Sequence, residues 1–143
     1  MKARLGHLAI RAKDIEATAA FYRDILGFKE AFRMHTGEGG ALSTIYIYIA
    51  PSQFIEIFPN GKGEQTDNLA VGIKHICIEV DDAAACQELL RKRGAPIDTE
   101  LKTGHSKCIQ FWTHDPDGVR IEFMELPPES LQAQANKRIA GEA

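Results

Sequence analysis

Apolar and polar positions alternate from residue 5 to 11, so His7, Ala9 and Arg11 share one face and Leu8 and Ile10 the other, which predicts a strand. The period then changes to that of a helix. Asp14 suits an N-cap, Phe21 with Ile25 and Tyr22 with Leu26 form apolar pairs four apart, and Gly27 stands where a left-handed C-terminal residue is needed. Strands are predicted over 28–35, 42–50 and 54–59, with a flexible turn at Thr36-Gly37-Glu38-Gly39-Gly40 and a break at Pro51-Ser52-Gln53.

A polar, glycine-containing stretch reaches residue 72, and the plan then recurs. A strand over 73–80 leads to a second capping residue, Asp82, and a helix with Cys86, Leu89 and Leu90 facing inward that stops at Gly94. Strands follow near 97–102, 106–114 and 119–125, the last two joined by a tight turn, Asp115-Pro116-Asp117-Gly118. With His7 laid on His75, Ile10 meets Ile78, Asp14 meets Asp82, and Gly27 meets Gly94 after a one-residue slip. This is an internal duplication: module one at 5–60, a linker at 61–72, module two at 73–126, and a tail at 127–143, within a single domain. In the tail, Ser130 caps a predicted helix whose Leu131, Ala135 and Ile139 form a stripe that docks either on its own domain or on a partner chain.

Composition narrows the class. The chain has 143 residues, 44% of them apolar, and a net charge of −3, which argues for one soluble domain without a broad basic surface for nucleic acid. No apolar run approaches membrane-spanning length, and Met1–Gly6 carry no long apolar stretch after their basic residues, so neither a membrane span nor a signal peptide is expected. Cys77, Cys86 and Cys108 are an odd count without paired spacing. They read as reduced thiols of a cytoplasmic protein, each a small core residue.

The duplication also repeats a chemical pair. His7 and His75 each open an apolar run, and Glu56 and Glu122 each interrupt one, 49 residues after His7 and 47 after His75 respectively. A carboxylate amid Ile and Phe is costly to bury without a partner. If the two modules pack with pseudo-two-fold symmetry, one divalent cation ligated by His7, Glu56, His75 and Glu122 supplies that partner. Two imidazoles and two carboxylates suit Ni, Co, Zn, Mn or Fe better than Mg or Ca, and leave two octahedral positions for water or substrate. His35, His105 and His114 lie at strand ends or beside turns and are weaker candidates. His105, on a glycine-containing loop, is the one that could overhang a cleft. The turn itself accounts for Asp115 and Asp117.

These residues carry a resemblance. His7-Leu8-Ala9-Ile10-Arg11, Phe21-Tyr22-Arg23-Asp24-Ile25-Leu26-Gly27-Phe28, Ile55-Glu56-Ile57, Lys74-His75-Ile76-Cys77-Ile78-Glu79-Val80-Asp81 and Asp115-Pro116-Asp117-Gly118-Val119-Arg120-Ile121-Glu122 make the chain resemble the vicinal oxygen chelate superfamily. The His/Glu/His/Glu set is similar to that of its glyoxalase I (lactoylglutathione lyase) branch. The resemblance covers about residues 5–126. It implies an α+β fold of paired βαβββ modules and commonly a homodimer, with each site built from module one of one chain and module two of the other. It also implies His7, Glu56, His75 and Glu122 as metal ligands, with nickel or cobalt favoured by the absence of long insertions. Arg11 and Asn60 are implied to bind the carboxylate of a glutathione-type substrate, with help from a basic residue such as Lys102 or Lys107.

The activity so implied is isomerisation of a glutathione–methylglyoxal hemithioacetal to S-lactoylglutathione through an enediolate. The cation polarises the vicinal oxygens and a carboxylate moves the proton between carbons. Glu122 is the implied base, and the internal symmetry leaves Glu56 open as well. Other members of the superfamily share the scaffold: coenzyme A ester epimerases, which usually carry Gln where this chain has Glu56, antibiotic-modifying enzymes, and metal-free binding proteins of the bleomycin-resistance kind. Pro59 beside Asn60 and the bulky Phe111-Trp112-Thr113-His114 depart from what a small-ketoaldehyde pocket calls for.

Overall fold

Each half of the chain folds as strand, helix and three further strands in a computed structural model that describes residues 3–65 and 69–141. The first half runs β1 (His7–Arg11), α1 (Ile15–Ala20) continued by a π-helical turn (Phe21–Ile25), β2 (Lys29–His35), β3 (Leu42–Ala50) and β4 (Gln53–Phe58). The second runs β5 (Ile76–Glu79), α2 (Ala83–Lys92), β6 (Thr99–Thr103), β7 (Ile109–His114) and β8 (Arg120–Glu125), with a final helix α3 (Leu131–Gly141). The α+β class and the βαβββ module are those expected. The middle of the linker, 66–68, and the last two residues of the tail lie outside the described residues.

The chain divides into two units, Met1–Thr66 with Asp115–Gly118, and Asp67–His114 with Val119–Ala143. The sheet orders are β1-β4-β3-β2 and β5-β8-β7-β6. In both, the opening strand lies parallel to the closing one, which requires a long connection between them, here a helix and two strands. In unit one, Ile45, Ile47, Ile55 and Ile57 are buried on the sheet face covered by α1, whose Ile15 and Ala19 are buried too. In unit two, Phe111, Thr113, Ile121 and Phe123 play that part beneath α2. Strand alternation then leaves Glu56 and Glu122 on the opposite faces of their sheets.

The capping expectations hold. The Asp14 carboxylate accepts from the N–H groups of Glu16 and Ala17, and Asp82 from that of Ala85. Gly27 and Gly94 both take φ of 86°, the left-handed C-terminal position. Three expectations need correction. The strand read at 73–80 is ordered as strand only over Ile76–Glu79, because only those residues lie opposite Ile121–Met124 of β8, so His75 precedes the ladder. The inward stripe of α2 is Ala83, Gln87 and Leu90, spaced i, i+4, i+7, which turns Leu89 outward. Of the cysteines only Cys108 is buried, Cys86 being intermediate and Cys77 exposed, because Cys77 shares the open face of its sheet with Glu122. Of the α3 stripe, for which two docking surfaces were open, Leu131 and Ile139 are exposed, and no described residue of the helix is buried. Only its start is fastened, through Leu131 N–H to the Ser106 carbonyl at 2.9 Å and the Ser130 cap on Ala133 N–H at 3.3 Å.

The Asp-Pro-Asp-Gly turn does more than reverse the chain. Asp115 accepts from Asp117 N–H at 2.9 Å and closes the turn locally. Asp117 Oδ2 also accepts from the backbone N–H of Lys13 at 3.0 Å, and Asp115 Oδ2 accepts from the Tyr22 hydroxyl at 3.4 Å. Burial, and next the charge of Asp115, push the Tyr22 phenol well above its ordinary range. Among the described residues no helix is long and apolar enough to cross a membrane.

Candidate functional site

Parallel pairing of β1 with β4 sets His7 opposite Phe54 and Ala9 opposite Glu56. The imidazole leans along the strands, and His7 Nε2 comes to 3.5 Å from Glu56 Oε2. Unit two repeats the geometry, with His75 Nε2 at 3.2 Å from Glu122 Oε2. The environments match as well: each imidazole is partly open to solvent, while each carboxylate side chain keeps only 11% of its surface. Each unit thus presents one imidazole nitrogen and one nearly buried carboxylate oxygen side by side on the open face of its sheet.

That donor set fits a divalent cation. Carboxylate oxygens set within strands of Ile and Phe are costly to leave without a partner, and imidazole nitrogens beside them are good ligands to borderline metals. Among the described residues no three such groups stand together, so each unit offers one pair, His7 with Glu56 and His75 with Glu122, as the residues that would hold a metal.

An aromatic side chain completes each pair. The antiparallel register puts Tyr46 of β3 opposite Glu56 and Trp112 of β7 opposite Glu122. Tyr46 meets the His7 ring edge-on at 6.1 Å, and Trp112 meets His75 edge-on at 4.8 Å. The Tyr46 hydroxyl donates to Glu56 Oε1 at 2.8 Å, a bond that raises the phenol above its ordinary value. Trp112 donates its indole N–H to Gln110 Oε1 at 3.0 Å, and the Arg120 guanidinium lies 4.5 Å from the centre of its indole ring. The position beside Glu122 on β5 is Cys77, where unit one has Ala9. Its thiol is pushed up to about 12 by desolvation and by the charge of Glu122. Sequence reading passed over Tyr46, although a usable signal existed. Thr44, Tyr46 and Tyr48 alternate with the buried Ile45 and Ile47, which marks the open face, but a register shift between Tyr48 and Ala50 is what sets Tyr46 rather than Ile47 opposite Glu56.

The other candidates fall at the end of the β1–β4 pair or away from it. Arg11 Nη1 donates to the Pro59 carbonyl at 2.8 Å, and its guanidinium lies 5.4 Å from the centre of the Phe58 ring. Asn60, next in sequence, is exposed with a left-handed φ of 63°. Arg11 also lines a cavity of about 260 Å³ with Lys13, Lys62, Glu64 and Asp117. Lys102 and Lys107 are exposed at either side of the Gly104 turn, as is His105. His35 is exposed at the end of β2, and His114 is engaged by Asp98 through Nδ1 at 2.9 Å. The second half of the aromatic stretch points two ways: Trp112 faces the His75–Glu122 pair, whereas Phe111 and Thr113 are buried in the core.

A family model described as the glyoxalase/bleomycin resistance protein/dioxygenase superfamily matches residues 4–123. The mitochondrial methylmalonyl-CoA epimerase of Homo sapiens is 35% identical over 129 residues, covering 84% of this chain and 72% of that protein. A lactoylglutathione lyase of Neisseria meningitidis serogroup A is 31% identical over 125 residues, covering 85% of this chain and 90% of the other. Among solved structures, a glyoxalase family protein from Enterococcus faecalis superposes with a TM-score of 0.73 at 25% identity, covering 85% of this chain and 97% of its own.

Proposed function

Because the chain belongs to the glyoxalase/bleomycin resistance protein/dioxygenase superfamily, we propose that it is a metal-dependent enzyme that moves a proton on a carbon next to a carbonyl. The preferred substrate is a 2-carboxyacyl coenzyme A thioester, which the enzyme epimerises. The observation that carries the reading is the repeated imidazole–carboxylate pair, His7 with Glu56 and His75 with Glu122. In this reading the four side chains serve one cation, Ni or Co by preference. The bound cation supplies electron withdrawal from the substrate's oxygens, which acidifies the carbon between them.

The chain's residues do the rest. Epimerisation needs proton removal on one face of a planar carbon and delivery on the other, and a carboxylate from each unit offers two such groups. Glu122 is the leading base, with Glu56 as its counterpart. The exposed aromatic and thioether groups on the same face of the first sheet, Phe32, Met34 and Tyr48 around Tyr46, give apolar ground for the acyl arm. Identity to an epimerase at 35% supports the thioester over the other substrates of the superfamily.

A second reading is lactoylglutathione lyase activity on a glutathione hemithioacetal. The presence of both Arg11 and Asn60 at the end of β1–β4 favours it, as does the Neisseria relative. In either case the working unit is a homodimer, as the resemblance implies. The deciding experiment measures metal content and compares two assays with Ni, Co and Zn: loss of the α-proton from one epimer of methylmalonyl-CoA in deuterated water, and lactoylglutathione formation. Exchange with inversion supports the first reading, thioester formation from the hemithioacetal the second. Protein that binds no metal and performs neither overturns both.

A further inference from the structure

The two imidazole–carboxylate pairs differ most at the residue facing each carboxylate across its hairpin. Glu56 has a phenol there and Glu122 an indole. The phenol binds Glu56 Oε1 at 2.8 Å, and the other oxygen, Oε2, is the one beside His7 Nε2. The indole turns its single donor to Gln110 instead. The neighbour that does approach Glu122 is the Cys77 thiol, a weak donor.

We propose that Tyr46 is a positioning residue: it occupies Glu56 Oε1 and so presents Oε2 alone, next to His7 Nε2, as a fixed one-oxygen metal ligand. The assignment rests on the metal reading above. The phenol is itself held. Phe32 stacks on it at 4.3 Å with an 18° interplanar angle, while the edges of His7 and Phe54 meet it at 6.1 and 6.2 Å. A ring packed on three sides cannot swing its hydroxyl away without losing those contacts. A hydrogen bond to an ionised acceptor is also among the stronger kinds, and outer partners of this type fix ligand orientation. Among the described residues Glu122 has only the weaker Cys77 thiol as a neighbouring donor, which leaves it the less clamped of the two carboxylates and suits a group that must carry a proton between two positions.

The test uses the full chain, stripped of metal and titrated with Co²⁺. Tyr46→Phe keeps the ring and removes only the donor. It should weaken Co²⁺ binding by about 10- to 100-fold and alter the visible Co²⁺ absorption, while the metal-free unfolding temperature stays close to that of the wild type. In a Glu56→Gln background the same change should have no further effect on Co²⁺ affinity, because the clamp then has no charged ligand to orient. Unchanged affinity and spectrum in Tyr46→Phe, or an equal loss in the Glu56→Gln background, overturns the assignment of Tyr46 alone. A wild-type chain that binds no Co²⁺ removes the metal reading and this assignment with it.

Discussion

Replacing Glu56 by Gln separates the cost of a buried carboxylate from its use. Without metal the change should be small. The amide carbonyl of Gln still accepts from Tyr46, so the 2.8 Å hydrogen bond survives. The lost contact joins Glu56 to a half-exposed His7 at 3.5 Å, and even as a full ion pair such a contact contributes about 0–1 kcal/mol. Relief from burying a charge offsets part of that loss. The metal-free variant should therefore stay within about 1 kcal/mol of wild type, about 4 °C in unfolding temperature for a chain of this size. With metal the two should part. At free Co²⁺ one hundred times its dissociation constant, linkage adds about 2.7 kcal/mol to the wild type, or about 10 °C. If losing the anionic ligand weakens binding by about 100-fold, the variant gains only about 0.4 kcal/mol at the same concentration. Thermal unfolding followed by circular dichroism, with and without Co²⁺, reads both numbers. A Gln variant that keeps the full Co²⁺ shift refutes ligation by Glu56, and one that collapses without metal shows that the carboxylate is structural.

Two further outcomes follow from the described side chains. The Thr113 hydroxyl is buried on β7 with no hydrogen-bond partner among the described residues, so Thr113→Val, equal in shape, should raise stability by about 1 kcal/mol; denaturant melts that show a loss would reveal a partner for the hydroxyl. The Tyr22 phenol titrates well above 10.0 in the folded chain. The native state therefore holds this proton after the unfolded state has released it, and the stability it confers is complete below pH 10 and declines as pH rises beyond. Tyr22→Phe should flatten that alkaline decline in unfolding curves recorded from pH 9 to 12, and an unchanged slope would assign it elsewhere.

Much of the fold was legible because two periods switch cleanly along the chain. Asp14 and Asp82 cap as read, Gly27 and Gly94 close their helices, and the duplication appears as two sheets of identical strand order. The matched His-to-Glu spacing was legible as well, and it brings the two together because the opening strand of each module pairs in parallel with the closing strand, a helix and two strands further along. Other features depend on tertiary choices that spacing does not encode. Leu89 and Leu90 are equally apolar, and only the rotation of α2 on its sheet decides which is buried. Cys77 reads as core from its Ile neighbours, yet strand alternation sends it to the face of Glu122. Tyr46 is one of three tyrosines, and its role emerges only when the β3–β4 register is counted residue by residue.

The Asp-Pro-Asp-Gly turn changes what the duplication means. By sequence it lies between the last two strands of the second half, yet it is grouped with the first, where Asp115 and Asp117 meet Tyr22 and Lys13. A gene cut at the linker would produce an N-terminal fragment lacking two acceptors that its own helix requires, and a C-terminal fragment with a hairpin loop that has nowhere to dock. The two halves are therefore not interchangeable parts, since one supplies a turn on which the other's Tyr22 and Lys13 close. Either half can drift in sequence, but neither can any longer be shed.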